Sequence, residues 1–267
     1  MRSATELKQI FQRGWNIPAR VENYVRQSSE FTEGERYRAW RNALGTALGS
    51  TGPLKVLDVG TGPAFFACLY AQMGHRATGL DFSERMLAVA RSRAAELHVE
   101  VEFVFGDAEA PPFDAATFDA VSSRHVLFNL PRPGVAVRDW VRLLKPGGQL
   151  VLIGNDHEAD DKQRLRGGPF FRRWFRRWRN RRRVPGWKPE PGYIDAVAEC
   201  PLFRHGSGTL RAVMEAVGLE KIRKIPTDAI QQARRQEPRA NRPVDFGGQL
   251  FILVGTTPTQ PQAAAST

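Results

Sequence analysis

One short stretch, VLDVGTGPAFFA at residues 56–67, restricts the fold of this chain more than any other. An apolar, strand-like run ends at Val59, and a helical pattern begins a few residues later at Pro63. Gly60 and Gly62 lie between them, and residues without a Cβ let the backbone turn sharply and approach a ligand closely. A dinucleotide-binding GxGxxG motif would require glycine where the chain has the bulky Phe65. The stretch therefore predicts a ligand-binding turn of another kind between a strand and a helix.

Strand-like and helical segments alternate along most of the chain. The strand-like segments are rich in β-branched and aromatic residues: KVLDVG, RATGLD, VEFVFGD, FDAVSS and QLVLIGN. Helical periodicity marks the segments between them, with Ser83 as a predicted N-cap and Pro146 near the end of one helix. A helix that ends at Gly218, a strand after it and the final strand GGQLFILVGT complete the pattern. Such alternation predicts a parallel sheet with helices on both faces.

Acidic residues end the second and third predicted strands. Asp81 follows the glycine turn by about twenty residues, and a carboxylate at that place can accept both hydroxyls of a ribose. The alternative role of Asp81 is to cap the next helix. Asp107 ends the third strand in the same way, in the segment VFGDAEAPPF. Because the carboxyl ends of parallel strands meet at one edge of the sheet, a nucleoside ligand is predicted there.

These motifs, together with LLKPGGQLVLIG after the fourth strand, resemble those of the class I S-adenosylmethionine-dependent methyltransferases. The family pattern (D/E)xGxGxG is matched at Asp58, Gly60 and Gly62, with Ala64 in place of the last glycine. The resemblance covers roughly residues 15–255 and is firm between residues 55 and 155. It implies an α/β fold with a seven-stranded, mostly parallel sheet in the order 3-2-1-4-5-7-6, whose last strand is antiparallel.

The resemblance also implies S-adenosylmethionine as the cofactor. Asp107 then faces the adenine amino group, Arg124 lies near the methionine portion, and Tyr24 belongs to an N-terminal helix that folds over the cofactor. The full set of predicted cofactor-binding residues is Asp58, Gly60, Thr61, Gly62, Asp81, Phe82, Asp107, Ala108, Arg124 and Tyr24.

Methyl transfer from a sulfonium is an in-line displacement, so the protein must align a nucleophile and exclude water. Such orientation can lower the barrier by up to about 7–11 kcal/mol. A base is needed only where the acceptor arrives protonated, and His125, after the fourth strand, is the first candidate. The alternative is that His125 only packs against the following turn. Predicted acceptor-binding residues are Trp15, His205, Phe171 and Trp174.

The segment from Lys162 to Arg183 contains eleven Lys and Arg and no acid, which equals the whole net charge of +11. Aromatic residues, Phe171 and Trp174 among them, share one face of a predicted helix there. Three functions fit this pattern: covering the acceptor pocket, lying on an anionic membrane, or binding RNA phosphates. A helix with a merely solvated charged face is the fourth interpretation. We favour the pocket cover; RNA binding is less favoured, because the remaining chain is electrically neutral and shows no separate RNA-binding module.

The composition, 42% hydrophobic and 25% charged, is that of a globular protein. Cys68 and Cys200 form no CxxC pair, which argues against a zinc site or a disulfide framework. The N-terminal region lacks a signal-peptide-like apolar run, and no stretch of about 18 apolar residues occurs, so we expect a soluble cytoplasmic protein. We expect five segments: a helical cap at 1–50, the cofactor-binding core at 51–160, the basic insertion at 161–205, completion of the core at 206–256 and a disordered tail at 257–267.

The leading hypothesis from the sequence is a methyltransferase that acts on O, N or C of a small molecule. One alternative is an RNA methyltransferase or a membrane-associated lipid methyltransferase that uses the arginine-rich segment to bind its substrate. Another is a non-catalytic, S-adenosylmethionine-binding regulatory subunit, to which Ala64 in the glycine motif gives slight support.

Overall fold

A computed structural model describes residues 2–28, 34–156, 192–203, 205–236 and 248–259. Three helices precede the sheet: α1 (Ala4–Trp15), α2 (Pro18–Ser28) and α3 (Gly34–Leu48). Strands and helices then alternate as β1 (Lys55–Val59), α4 (Phe65–Gln72), β2 (Arg76–Asp81), α5 (Glu84–Glu96), β3 (Val101–Phe105), β4 (Phe118–Arg124), α6 (Pro133–Leu143) and β5 (Leu144–Asp156). The remaining elements are α7 (Tyr193–Ala198), α8 (Ser207–Ala216), β6 (Glu220–Ile225), α9 (Asp228–Gln236) and β7 (Gln249–Thr256).

The strands form one seven-stranded sheet in the order β3-β2-β1-β4-β5-β7-β6. Strands β1 to β5 run parallel, and β7 is antiparallel to both β5 and β6. This confirms the predicted fold class and strand order. Val59 pairs with Leu80 on β2 and with Ser123 on β4, so these three strands end side by side.

Apolar clusters cover both faces of the sheet, as the runs of buried residues in its central strands require. On one face, Leu57 of β1 and Phe251 of β7 pack with Trp140 of α6 and Met214 of α8. On the other face, residues of α3, α4 and α9 pack against the alternate strand positions: Leu44, Phe66, Tyr70, Ile230 and Ile252. Among the described residues, the helices thus cover the faces of the sheet and leave the ends of its strands open to a ligand.

The N-terminal helix α1 starts at a reciprocal cap. The Ser3 hydroxyl accepts the backbone N–H of Glu6 at 3.2 Å, and the Glu6 carboxylate accepts the backbone N–H of Ser3 at 2.6 Å. The apolar side of α1 packs on α7, where Leu7 and Phe11 meet Tyr193. Helix α1 is thus held against the α/β core from outside the sheet.

Two details differ from the sequence-based expectation. Helix α6 ends at Leu143, three residues before the predicted stop near Pro146, because Leu144 is already extended and pairs with Phe118 as the first residue of β5. Proline also disfavours helical backbone at the residue before it, here Lys145. At the same end of the sheet, the Thr257 N–H donates to the Gly148 carbonyl at 2.9 Å, so ordered contacts extend to the first residue of the segment predicted as a tail.

Substituting Trp140 tests whether α6 anchors the core. The side chain is fully buried, and its indole N–H donates to the Ala108 carbonyl at 2.8 Å. Trp140→Ala should lower the free energy of unfolding in urea by about 3–5 kcal/mol. Arg138→Ala, on the exposed side of the same helix, should change it by less than about 0.5 kcal/mol. Similar losses for the two variants would contradict this account of the core.

Candidate functional site

The turn after β1 is built from left-handed backbone. Gly60, Gly62 and Ala64 have φ of 68°, 53° and 58°. The N–H groups of Gly60 and Thr61 both donate to the Leu80 carbonyl, at 2.8 and 2.9 Å, which ties the turn to the end of β2. Ala64, which takes the place of the last glycine of the motif, also has this left-handed backbone, which glycine adopts more readily than alanine.

Asp81 ends β2 directly beside this turn. Its carboxylate accepts the N–H of Gly62 at 2.8 Å and that of Ser83 at 2.9 Å. Burial raises the pKa of the Asp81 carboxyl to about 6, although these amide donors oppose the rise. A carboxylate has about four acceptor positions, so Asp81 retains capacity for ligand hydroxyls after both amides are bound. Helix α5 is capped by Ser83, as predicted, and not by Asp81. The Ser83 hydroxyl accepts the N–H of Met86 at 3.2 Å.

Asp58 and Thr61 support the turn from below. The Asp58 carboxylate is buried and accepts the Thr61 hydroxyl at 2.8 Å and the Ser122 hydroxyl at 3.0 Å. Burial raises the pKa of Asp58 to about 6. Neither Asp58 nor Thr61 lines the cavity above the turn. Their contacts therefore shape the backbone that faces a ligand.

Asp107 and Ala108 follow β3 on the far side of Asp81. One Asp107 carboxylate oxygen accepts the Glu109 N–H at 2.8 Å, and the other is 2.5 Å from the ammonium nitrogen of Lys8. The Ala108 carbonyl is fixed by the indole of Trp140. This loop is consequently held by both α1 and α6.

These residues surround one cavity of about 150 Å³ at the carboxyl ends of β1, β2 and β4. Ten of the predicted site residues line it: Trp15, Tyr24, Gly60, Gly62, Asp81, Phe82, Asp107, Ala108, Arg124 and His125. Trp15 and Tyr24 are half-buried and form part of the cavity wall.

Arg124 and His125 lie where β4 leaves the sheet. The Arg124 guanidinium lies over the rings of Phe66 and Phe65, at 4.9 and 5.8 Å from their centroids. His125 has a left-handed φ of 59°, which is uncommon for a residue with a side chain. Its N–H donates to the Ile153 carbonyl at 3.1 Å, and its carbonyl accepts the Asn129 amide at 3.2 Å. Bonds on both sides of the residue hold His125 at the wall of the cavity.

Of the other three predicted acceptor-binding residues, the structure describes His205. His205 lies before α8, where its Nδ1 is 3.2 Å from the Thr209 hydroxyl, and it does not line the cavity. Phe171 and Trp174, with the whole predicted arginine-rich helix at 162–183, lie outside the described residues.

Sequence reasoning missed nine of the lining residues: Lys8, Phe11, Leu80, Met86, Gly106, Val126, Asn129, Leu130 and Pro131. Lys8 and Phe11 share one face of α1 with Trp15, at spacings of three and four residues. That spacing was readable in the sequence, but nothing local indicated that this face lies over the strand ends.

The donor set fits a nucleoside cofactor with a charged amino-acid portion. Asp81 and Asp107 offer acceptors at two neighbouring strand ends, and Arg124 offers a cation beside the glycine turn. Phe11, Trp15, Tyr24 and Met86 supply apolar walls of the kind on which an adenine ring packs. Across the part of the chain that the structure describes, no cluster of His, Cys, Asp and Glu is suited to a metal ion. No described helix is both long and apolar enough to cross a membrane.

The sheet order and the glycine turn define the class I methyltransferase fold. Residues 57–152 match the family model described as a methyltransferase domain. A demethylmenaquinone methyltransferase of Renibacterium salmoninarum is 37% identical over 120 residues, which cover 45% of this chain and 49% of that protein. The ubiquinone/menaquinone biosynthesis C-methyltransferase UbiE of Nitrobacter hamburgensis is 40% identical over 125 residues, which cover 44% and 49%. The matched part thus spans about half the length of these relatives.

Among solved structures, the fold resembles phospholethanolamine N-methyltransferase 2 of Haemonchus contortus, in complex with phosphomonomethylethanolamine and S-adenosylhomocysteine. The TM-score is 0.65 at 14% identity, over 94% of this chain and 60% of that chain. At this identity the likeness shows the fold.

Alanine at the two turn glycines separates backbone strain from steric conflict. A Cβ at Gly62 would lie 3.7 Å from the Tyr24 ring, an ordinary contact, whereas a Cβ at Gly60 would lie 2.2 Å from a methyl of Val126. Gly62→Ala should therefore lower the free energy of unfolding by about 1–2 kcal/mol through left-handed backbone alone. Gly60→Ala should lower it clearly more. Urea unfolding of both variants measures the difference, and equal losses would show that Val126 does not restrict the turn.

Proposed function

We propose that this protein transfers the methyl group of S-adenosylmethionine to a small-molecule acceptor. One observation carries the proposal: the Asp81 carboxylate and the left-handed turn at Gly60–Gly62 face the same cavity at the carboxyl ends of β1 and β2. In the class I fold this is where a nucleoside cofactor is expected. The methyltransferase domain match over residues 57–152 supports the same conclusion.

Three residues of the cavity would each bind a different portion of this cofactor. Asp81 would accept the ribose hydroxyls, and Asp107 would accept the adenine amino group. Arg124 would compensate the carboxylate of the methionine portion beside the turn. When bound, the cofactor supplies a methyl carbon that a sulfonium makes electrophilic. The protein itself has to orient the acceptor and keep water out, and the aromatic wall formed by Phe11, Trp15 and Tyr24 serves the second task.

His125 is the residue we propose to accept a proton from an acceptor that arrives protonated. Its backbone N–H and carbonyl are hydrogen-bonded to Ile153 and Asn129, so the backbone from which the imidazole extends is fixed at the cavity wall. Imidazole titrates close to neutral pH, which suits a base for a hydroxyl or a ring nitrogen. Where the acceptor is already nucleophilic, the same side chain would only contribute to the wall.

The names of the relatives support a small molecule as the methyl acceptor. The two curated relatives are named for methylation in ubiquinone and menaquinone biosynthesis. We propose that the arginine-rich segment 162–183 covers the acceptor side of the pocket, with Phe171 and Trp174 facing the acceptor. RNA, lipid and a purely cofactor-binding role become outcomes of the test below.

Transfer of radiolabelled methyl from S-adenosylmethionine into a host-cell extract, separated into metabolite, lipid and RNA fractions, tests the proposal. Label in the metabolite fraction, absent with Asp81→Ala, is the expected result. Label in RNA or lipid would overturn the acceptor class and make the arginine-rich segment a substrate-binding surface. Cofactor binding without label in any fraction, repeated with extracts of other growth conditions, would favour the non-catalytic subunit.

Cofactor affinity should depend on pH through Asp81. Its raised pKa of about 6 means that the carboxylate loses its charge as the pH falls through 6, and a protonated carboxyl accepts the ribose hydroxyls less well. If only the ionised form binds, the dissociation constant for S-adenosylhomocysteine should be constant above pH 7 and about tenfold higher at pH 5. Isothermal titration calorimetry across this range measures it.

Two variants test whether Asp81 is the group whose protonation lowers the cofactor affinity. Asp107→Asn leaves Asp81 in place and should keep the fall in affinity at low pH. Asp58→Asn should keep it as well, although the pKa of Asp58 is also raised to about 6, because Asp58 lies beneath the turn and does not line the cavity. Loss of the pH dependence in Asp58→Asn would move the titrating group from Asp81 to Asp58.

A further inference from the structure

Helix α1 forms the wall of the cofactor cavity that faces the strand ends. Lys8, Phe11 and Trp15 all line the cavity from this helix. Side chains at these spacings lie on one helical face, so the inner surface of α1 is committed to the cavity. A cofactor of the proposed kind therefore lies between α1 and the ends of β1 and β2.

The C-terminal end of α1 is joined to the loop after β2 by uncharged hydrogen bonds. The Gln12 amide donates to the Phe82 carbonyl at 3.2 Å. The Ser83 hydroxyl donates to the Trp15 carbonyl at 2.9 Å and lies 3.0 Å from the Asn16 side-chain oxygen. This end of the helix is thus fastened directly beside Asp81.

Two ion pairs made by Lys8 hold α1 at the loop after β3. The Lys8 ammonium nitrogen lies 2.5 Å from an Asp107 oxygen and 2.6 Å from a Glu109 oxygen. The Glu109 side chain is fully buried, and Arg132 also binds it, through its backbone N–H at 2.5 Å and its Nε at 2.9 Å. Lys8 therefore joins α1 to two acids of the loop that carries the proposed adenine contact.

We propose that Lys8 is a latch: its ion pair with Asp107 and Glu109 holds α1 over the cavity, and breaking it limits the rate at which cofactor is exchanged. The inference rests on the proposed function for its ligand. Asp107 would serve both partners at once, since a carboxylate has acceptor positions for an ammonium and for an adenine amino group together. Lys8 acts through Asp107 and α1, so it is a positioning residue.

Lys8→Met removes the charge with little threat to the fold. Glu109 keeps both contacts to Arg132, so no buried carboxylate is left alone. Helix α1 keeps its packing of Leu7 and Phe11 on Tyr193. Methionine also replaces the apolar stem of lysine with one of similar length.

The matched control is Lys145→Met. Lys145 also pairs with an aspartate, with its ammonium nitrogen 2.7 Å from Asp119, but at the amino ends of the strands, away from the cavity. Lys8→Arg restores the charge at the latch and is the conservative variant. The three variants separate loss of the latch from loss of a charge or of an ion pair.

Stopped-flow fluorescence should follow release of S-adenosylhomocysteine from each protein. We expect Lys8→Met to release it about 5–30 times faster than the unmodified protein, the range that one or two kcal/mol of lost contact gives. Lys8→Arg and Lys145→Met should stay within about threefold of the unmodified protein. Added salt should speed release from the unmodified protein and have little effect on Lys8→Met, because screening weakens the ion pair that only the first contains. Equal release rates for Lys8→Met and Lys145→Met would overturn the latch.

Hydrogen exchange measured without ligand tests whether Lys8 holds α1 independently of the proposed function. Amides of α1 should exchange faster in Lys8→Met than in Lys145→Met, whether or not the protein binds a cofactor. If the unmodified protein does not bind S-adenosylhomocysteine, the proposed function fails, and exchange alone decides whether Lys8 holds α1. Unchanged exchange in α1 would reject the latch in that case as well.

Discussion

Two hydrogen bonds to one carbonyl determine the geometry on which the site depends. The N–H groups of Gly60 and Thr61 both donate to the carbonyl of Leu80, and this is compatible only with a sharp turn at the end of β1. The bonds place the turn directly over the end of β2, so that Asp81 can accept the N–H of Gly62. Below the turn, Asp58 joins Thr61 to Ser122 on β4. Three parallel strands are thereby tied together where a ligand would approach.

This arrangement buries the carboxylates of Asp58 and Asp81 beneath and beside the turn, where their negative charge is costly. Burial raises the pKa of both Asp58 and Asp81 from 3.8 to about 6. For an acid with a raised pKa in the folded state, the cost of ionisation is absent below the unfolded pKa and complete above the folded one. These two groups therefore lower the stability of the empty protein as the pH rises from about 4 to about 6. Their amide and hydroxyl donors offset part of that cost, and ligand hydroxyls at Asp81 would offset more.

The sheet and the positions of Asp81 and Asp107 could be predicted because they follow from local patterns. Strand-end residues of a parallel sheet meet at one edge, whatever the rest of the chain does. Lys8 could not be predicted in this way, since it lies 99 positions from Asp107 and reaches it through the packing of α1 on α7 and the hydrogen bonds of α1 to the loop after β2. Asp58 matched the motif, but the motif did not show that its side chain points below the turn. Residues 157–191, on which the acceptor-side predictions depend, are not among those described.

The proposed cofactor-binding and acceptor-binding sides of the site depend on different features of the chain. The two sides meet at Val126. Backbone geometry dominates the first: Gly60 has no Cβ, and a Cβ there would collide with the Val126 side chain. Side chains on the segment that follows β4 dominate the second, where His125 and Asn129 line the cavity. Changes at His125 or Asn129 should leave the turn intact, whereas Val126 lies against Gly60 and also lines the cavity. A class I fold can thus vary its acceptor while it keeps its cofactor site, which is why fold alone does not determine substrate.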